Sequence, residues 1–250
     1  EQDGLLWYIG ADRALSEAEL GEVAVSHGVE DLLARGEVEP PNRFALRRET
    51  RQHDYQRRRS PISGLVGGRI DLIPHQLYIA HEVSRRYAPR VLLSDEVGLG
   101  KTIEASLILH RLLLSGRISR VLILVPESLV HQWFVEILRR FNLWFHIFDE
   151  ERCASLEESA PEGNPFFDDQ LVICSTEFLA GSDQRARQAL TAQWDLLVVD
   201  EAHHLAWSVE AVSREYRIVE GLSRVAQGLL LLTATPEQLG QESHFARLRL

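Results

Sequence analysis

Asp95, Glu96, Val97, Gly98, Leu99, Gly100, Lys101 and Thr102 form the run in this sequence best suited to chemistry. Their spacing is that of a phosphate-binding loop, G-x-x-x-x-G-K-[ST], with Asp95 where the first glycine usually stands. Gly98 and Gly100 permit a tight turn whose backbone N–H groups point at an anion. The helix opened by Lys101 adds the positive end of its dipole. Lys101 is spaced to reach β- and γ-phosphate oxygens, and the Thr102 hydroxyl to reach Mg²⁺. Lys101 is also the single lysine among 27 basic residues. A compact ammonium fits between phosphates where a planar guanidinium does not. The same glycines could form a plain strand–helix corner, but the flanking elements are those that the motif requires.

A second group of candidates lies downstream. Asp200 follows four apolar residues, the position of a Mg²⁺-side carboxylate. Glu201, next to it, is placed to orient or deprotonate an attacking water. Two adjacent acids at a strand end are costly unless a cation or solvent meets them. His203 and His204 are weak evidence for zinc, because no second ligand pair accompanies them. They read better as a link from the nucleotide site to the last strand. Thr233 and Thr235 are either ordinary turn residues or part of that same link. Gln76 could read the N6 and N7 edge of adenine, as a glutamine does in the major groove, or simply cap a helix.

The elements that must position these residues follow from apolar periodicity. Strands are expected at Val91, Val121–Val125, Trp144–Phe148, Leu171–Cys174, Leu196–Val199 and Gly228–Leu232. Helices are expected over His75–Arg86, Lys101–Leu114, Glu127–Phe141, Gln184–Gln193, Val212–Arg224 and from Pro236 to near Leu250. Asp149–Asp169, acidic and interrupted by proline and glycine, reads as a surface insertion. Strands that are apolar throughout and alternate with helices predict an α/β fold, a parallel sheet covered on both faces. Its ligands belong at the carboxyl ends of the strands, where Asp95–Thr102, Asp200–His204 and Thr233–Pro236 all lie.

Upstream the pattern is weaker. Residues 1–36 hold one candidate strand, Leu5–Ile9, and a helix-start signal at Ser16. Residues 37–70 read as an Arg-rich helical linker, with Asn42 able to cap a helix from Arg43 to about Arg58. Residues 71–250 form the regular lobe. Between Pro41 and Arg90 eleven arginines face four acids, so this stretch carries +7 while the whole chain carries −10. It could hold phosphates or an acidic partner, or be a solvated helix. Apolar runs are far too short to span a bilayer. Cys153 and Cys174, lacking metal spacing, suggest a reducing cytosol, with Cys174 as a small core residue. No Met is present and residue 1 is Glu, so the sequence is expected to begin inside a longer protein.

The motifs also occur in a familiar order. Pro74-His-Gln76, Asp95 to Ala105, Val125-Pro-Glu-Ser128, Asp200 to His204 and Leu232 to Pro236 resemble the successive motifs of superfamily-two helicases. The form Asp-Glu-x-Gly-Leu-Gly-Lys-Thr resembles the SWI/SNF group of double-stranded-DNA translocases. His131-Gln-Trp133, Phe141-Asn-Leu143, Trp194 to Leu205 and Ser213 to Tyr216 resemble the bacterial, RNA polymerase-associated branch of that group, as do Pro236 to Gly240 and Glu242 to Leu250. The resemblance is specific from Asp71 onward. It implies a RecA-like first motor lobe, a DEAH-type ATP hydrolase using Mg²⁺, after a Tudor-like amino-terminal region. By position it implies that Lys101, Asp200 and Glu201 are catalytic, that Gln76 meets adenine, and that Pro126, Ser175 and Thr176 touch the nucleic-acid backbone. The implied partners are RNA polymerase core and DNA, with RNA as a second track, acting on a monomer in the bacterial cytosol and nucleoid. A second lobe would supply the γ-phosphate arginines. Competing readings are a strand-separating helicase and a polymerase-docking module with a vestigial nucleotide site. A GTPase lacks its guanine-reading lysine, since Lys101 is already used.

Overall fold

A computed structural model describes residues 7–9, 14–16, 34–36, 40–60, 62–94, 100–161, 163–208, 210–234 and 241–250. Contacts divide the chain into two units, Glu1–His53 and Asp54–Leu250. In the first, β1 (Trp7–Ile9) and β2 (Ala14–Ser16) pair antiparallel, Trp7 opposite Ser16. Ser16 ends a strand, and the helix read after it lies outside the described residues. Helix α1 (Pro41–Arg59) starts at Pro41, whose fixed φ suits a first helical position. Asn42 Oδ1 accepts from Arg43 N at 2.9 Å. No residue of α1 is buried, and Asp54 pairs with Arg57 at 2.9 Å and Arg58 at 2.7 Å.

The second unit is built on a six-stranded parallel sheet. Its strands are β3 (Arg90–Ser94), β4 (Val121–Val125), β5 (His146–Phe148), β6 (Leu171–Ser175), β7 (Leu196–Val199) and β8 (Gly228–Thr233). Their order is β3-β8-β7-β4-β6-β5. Every residue of β4, β7 and β8 is buried, as expected of strands covered on both sides. Alternate side chains divide between two cores. Val121, Ile123, Leu196, Val198, Leu230 and Leu232 face one layer, formed by α2 (Pro74–Arg85), α3 (Lys101–Leu114) and α4 (Val130–Phe141). Leu122, Leu124, Leu197, Val199, Leu229 and Leu231 face the other. That layer comprises α5 (Glu150–Ser159), α6 (Thr176–Gly181), α7 (Asp183–Thr191), α8 (Arg214–Val225) and α9 (Gln241–Leu248).

Three expectations need correction. Residues 149–169, expected as a surface insertion, also send side chains into the core. Asp149 caps α5 by accepting from Arg152 N at 2.8 Å, and Cys153 and Phe166 are fully buried. Phe166 packs 5.1 Å from Phe148 and 6.4 Å, edge-on, from Trp194. The acids mislead because Glu151 and Glu158 face solvent while Glu150 and Glu157 pair with Arg185 of α7. Next, the helix expected from Glu127 opens as a short 3₁₀ turn, Glu127–Leu129, before α4, because Pro126 holds an extended ψ of 144°. Helix α6 was not foreseen at all. Ser175, the last residue of β6, caps it by accepting from Phe178 N at 2.9 Å, leaving no linker between strand and helix. Ser182 and Ser213 likewise cap α7 and α8.

Candidate active site

The site lies at the carboxyl ends of β3, β7 and β8. Strand β3 stops at Ser94, and the candidate residues Asp95, Glu96, Val97, Gly98 and Leu99 lie outside the described residues. Description resumes at Gly100, which has φ 91° and ψ 35°, a left-handed conformation suited to glycine. A Cβ built there would stand less than 3.0 Å from Gln76 Nε2. Gln76 is only 3% exposed on the first turn of α2, so its amide lies directly against the glycine that opens α3. Lys101 and Thr102 follow as the first two residues of α3, where helix N–H groups have no intrahelical acceptor.

Lys101, Thr102, Trp133, Asp200 and Glu201 line one cavity of about 330 Å³. Asp200 projects from the end of β7, and both of its oxygens are engaged. Oδ2 accepts from the Trp133 indole N–H at 2.7 Å, and Oδ1 from the Glu201 backbone N–H at 2.8 Å. Burial pushes the Asp200 carboxyl above its ordinary value. The indole and the Glu201 N–H oppose this, the Glu201 charge adds to it, and the Lys101 charge opposes it. Lys101 therefore sits within electrostatic reach of the carboxylate pair. The Thr102 hydroxyl and the Asp200 carboxylate are hard oxygen donors, the set that Mg²⁺ takes while keeping several waters. Among the described residues no cluster of three His, Cys, Asp or Glu side chains could hold another ion.

Glu201 adopts φ 46° and ψ 44°, a left-handed conformation that costs a non-glycine residue on the order of 1–3 kcal/mol. Its Oε2 lies 3.0 Å from His203 Nδ1, without hydrogen-bond geometry. Burial, then the neighbouring His204, push the His203 pKa below its ordinary value. The ring is thus neutral near pH 7, and it is tilted 38° against His204 with the ring centres 4.1 Å apart. Thr233 ends β8 opposite Ser94. It is fully buried, and its hydroxyl has no hydrogen-bond partner among the described residues. Thr235 lies outside the described residues.

The nucleic-acid candidates sit one and two strands further along, Pro126 after β4 and Ser175 and Thr176 at the end of β6. Pro126 and Thr176 line a cavity of about 270 Å³ together with Asp200, Glu201 and His204. Ser175 is nearly buried with its hydroxyl occupied by the α6 cap. It borders a larger cavity of about 480 Å³ that also carries Glu127, Asp149, Glu150 and Glu177. Trp133 is the site residue that pattern reading passed over. Its spacing from Leu129 and Ile137 marked only a core stripe, and it is indeed 3% exposed. The overlooked signal is chemical: a buried indole N–H needs an acceptor.

A lysine-headed helix after an edge strand, sharing a cavity with two acids from a strand two places along the same parallel sheet, defines a RecA-like ATPase lobe of the helicase type. The chain belongs to the SNF2-related domain family, which it matches over residues 5–248. RNA polymerase-associated protein RapA of Vibrio atlanticus is 57% identical over 257 residues, covering 100% of this chain and 26% of that protein. RapA of Photobacterium profundum is 56% identical with the same coverage. The chain thus spans about a quarter of the length of these relatives. Among solved structures, the Sulfolobus solfataricus SWI2/SNF2 ATPase core in complex with dsDNA superposes with a TM-score of 0.58 at 17% identity, over 72% of this chain and 35% of that one. The Pyrococcus furiosus Hef helicase domain gives 0.54 at 21% identity, over 70% and 35%. Both likenesses concern the fold.

Proposed function

We propose that this chain is the ATP-binding motor lobe of a SWI/SNF-type nucleic-acid translocase that associates with RNA polymerase and recycles stalled or post-termination complexes. The observation that carries the reading is the convergence of Lys101, Asp200 and Glu201 on one cavity. The SNF2-related match and the printed name of the relatives support the rest.

In this reading residues 95–102 hold the phosphates, and Gln76, packed on Gly100, meets the adenine edge. Thr102 and Asp200 hold Mg²⁺, in part through water. When bound, the metal neutralises charge on the β- and γ-phosphate oxygens. The Glu201 carboxylate takes a proton from water as that water's oxygen bonds to the γ-phosphorus and the bond to ADP breaks. Lys101 offsets the charge developing on the transferred group. His203, His204, Thr233 and Thr235 relay the state of the nucleotide to the strand ends. Pro126, Ser175 and Thr176 contact a nucleic-acid backbone, DNA first and RNA as a second track. Acids beside Ser175 oppose phosphate, so that contact is expected to rest on backbone N–H groups rather than on side-chain charge.

Two measurements test this. In the full-length protein, Lys101→Ala abolishes ATP hydrolysis, and Glu201→Gln stops hydrolysis while preserving nucleotide binding. Both remove polymerase recycling. Unchanged recycling in Glu201→Gln would instead mark a docking module with an idle site. The 250-residue chain alone is expected to bind ATP weakly and barely turn it over, because an arginine supplied from elsewhere is worth orders of magnitude in rate. Brisk turnover by this chain, lost in Lys101→Ala, would contradict that. Displacement of a triplex or roadblock without strand separation separates a translocase from an unwinding helicase.

A further inference from the structure

We propose that Trp133 is a positioning residue for the metal-side carboxylate, its indole N–H holding Asp200 in the orientation that offers its remaining lone pairs to nucleotide-bound Mg²⁺. This rests on the reading of the site as an ATP site.

Several observations converge. Trp133 stands in the first turn of α4, and its ring packs among the apolar residues between that helix and the sheet. A side chain buried to this degree does not leave an N–H unpaired. The group it meets is not a nearby carbonyl but a carboxylate 67 positions away in sequence, at 2.7 Å. Such charge-assisted bonds are shorter and about twice as strong as neutral ones. The second donor to Asp200 is the adjacent Glu201 backbone N–H, which any Asp at this turn would find. Trp133 is therefore the one donor to Asp200 from a separate element among the described residues. A carboxylate has about four lone-pair sites. Two are taken here, one on each oxygen, which blocks rotation of the group and leaves one on each oxygen for a metal or its water. The plane of the carboxylate is thus set by a helix on one face of the sheet.

The pairing also separates two roles in one side chain. The ring fills the core, while the N–H acts on the site. Trp133→Phe keeps an aromatic ring and removes the donor. An indole isostere with sulfur in place of the ring N–H, incorporated at position 133, keeps the shape almost unchanged. Both are compared with wild type in the full-length protein. Affinity for a non-hydrolysable ATP analogue is measured with Mg²⁺ and with a chelator, alongside the thermal unfolding midpoint and the Mg²⁺ dependence of hydrolysis. The expected result is an unchanged affinity without metal. The Mg²⁺-dependent gain in affinity should fall about tenfold, the loss typical of one hydrogen bond to a charged group. The Mg²⁺ concentration for half-maximal hydrolysis should rise by a similar factor. The isostere should match Trp133→Phe in these readouts while retaining the wild-type unfolding midpoint.

A purely structural role predicts otherwise: the isostere behaves as wild type, or affinity with and without metal falls together with the midpoint. Either result overturns the proposal. Failure of the underlying ATP reading looks different again. Wild type would then show no analogue binding that Lys101→Ala removes, and the proposal would fall with it.

Discussion

Replacing Gly100 by alanine probes the junction between the adenine candidate and the phosphate loop. Two costs can be separated. The first is conformational: φ 91° at Gly100 is a region where an L-residue pays about 1–2 kcal/mol. The second is steric: the new Cβ would stand less than 3.0 Å from Gln76 Nε2. The obstructing atom is the far end of a flexible side chain, so Gln76 swings away rather than the backbone moving. A buried amide displaced from its partners loses about 1–3 kcal/mol. Gly100→Ala should therefore cost about 2–5 kcal/mol in the wild-type background, but only about 1–2 kcal/mol beside Gln76→Ala, where nothing obstructs the methyl. Urea unfolding of the four chains, followed by circular dichroism, completes the cycle. An equal cost in both backgrounds would refute the contact. A cost near zero in both would refute the left-handed turn.

Two further outcomes concern stability. Phe166→Ala should destabilise the chain by about 3–5 kcal/mol in urea unfolding, because the ring is wholly buried between Phe148 and Trp194; a loss under about 0.5 kcal/mol would return residues 149–169 to the surface. Arg185, 4% exposed at its side chain, bonds Glu150 at 2.6 Å and Glu157 at 2.5 Å, joining α7 to α5. Its hydrogen bonds hold both carboxyls below their ordinary value of 4.5. Depressed carboxylate pKa values contribute stability that is present above about pH 4.5 and fades as pH falls through the lower folded values. Arg185→Ala should cost about 1–2 kcal/mol at neutral pH, discounted for the hydration of exposed Glu150. That difference should shrink as pH falls below about 4.5 and through the lowered folded values, and a pH-independent difference would exclude the ion pairs as its source.

Much of the lobe is legible in residue order because its strands are apolar throughout. Val121–Val125, Lys101–Leu114 and Leu196–Val199 occupy the spans that periodicity predicts. Failures arise where tertiary packing overrides composition. The acids of α5 conceal Cys153 and Phe166, whose burial depends on β5, β6 and α7 rather than on local pattern. Helix α6 begins on the last residue of a strand, and a six-residue helix has too few turns to show a period. At the candidate site, spacing singles out Lys101, Asp200 and Glu201, which line one cavity. Nothing local announces that Trp133 reaches Asp200 or that Gln76 lies on Gly100, because each contact joins separate elements across the fold.

The order of the strands has a consequence for synthesis. Strand β3, which precedes residues 95–102 in the chain, pairs with β8 and with no other strand among the described residues. Arg90 finds its neighbour only when Leu229 exists. At ordinary rates of translation that interval is on the order of ten seconds. During it the Val91-Leu-Leu-Ser94 segment leaves the ribosome with an unpaired backbone, and β4, β5 and β6 can associate without it. The nascent lobe can therefore begin at the β4-β6-β5 side of the sheet, and it receives β3, the strand that leads into residues 95–102, only after β8 has been made.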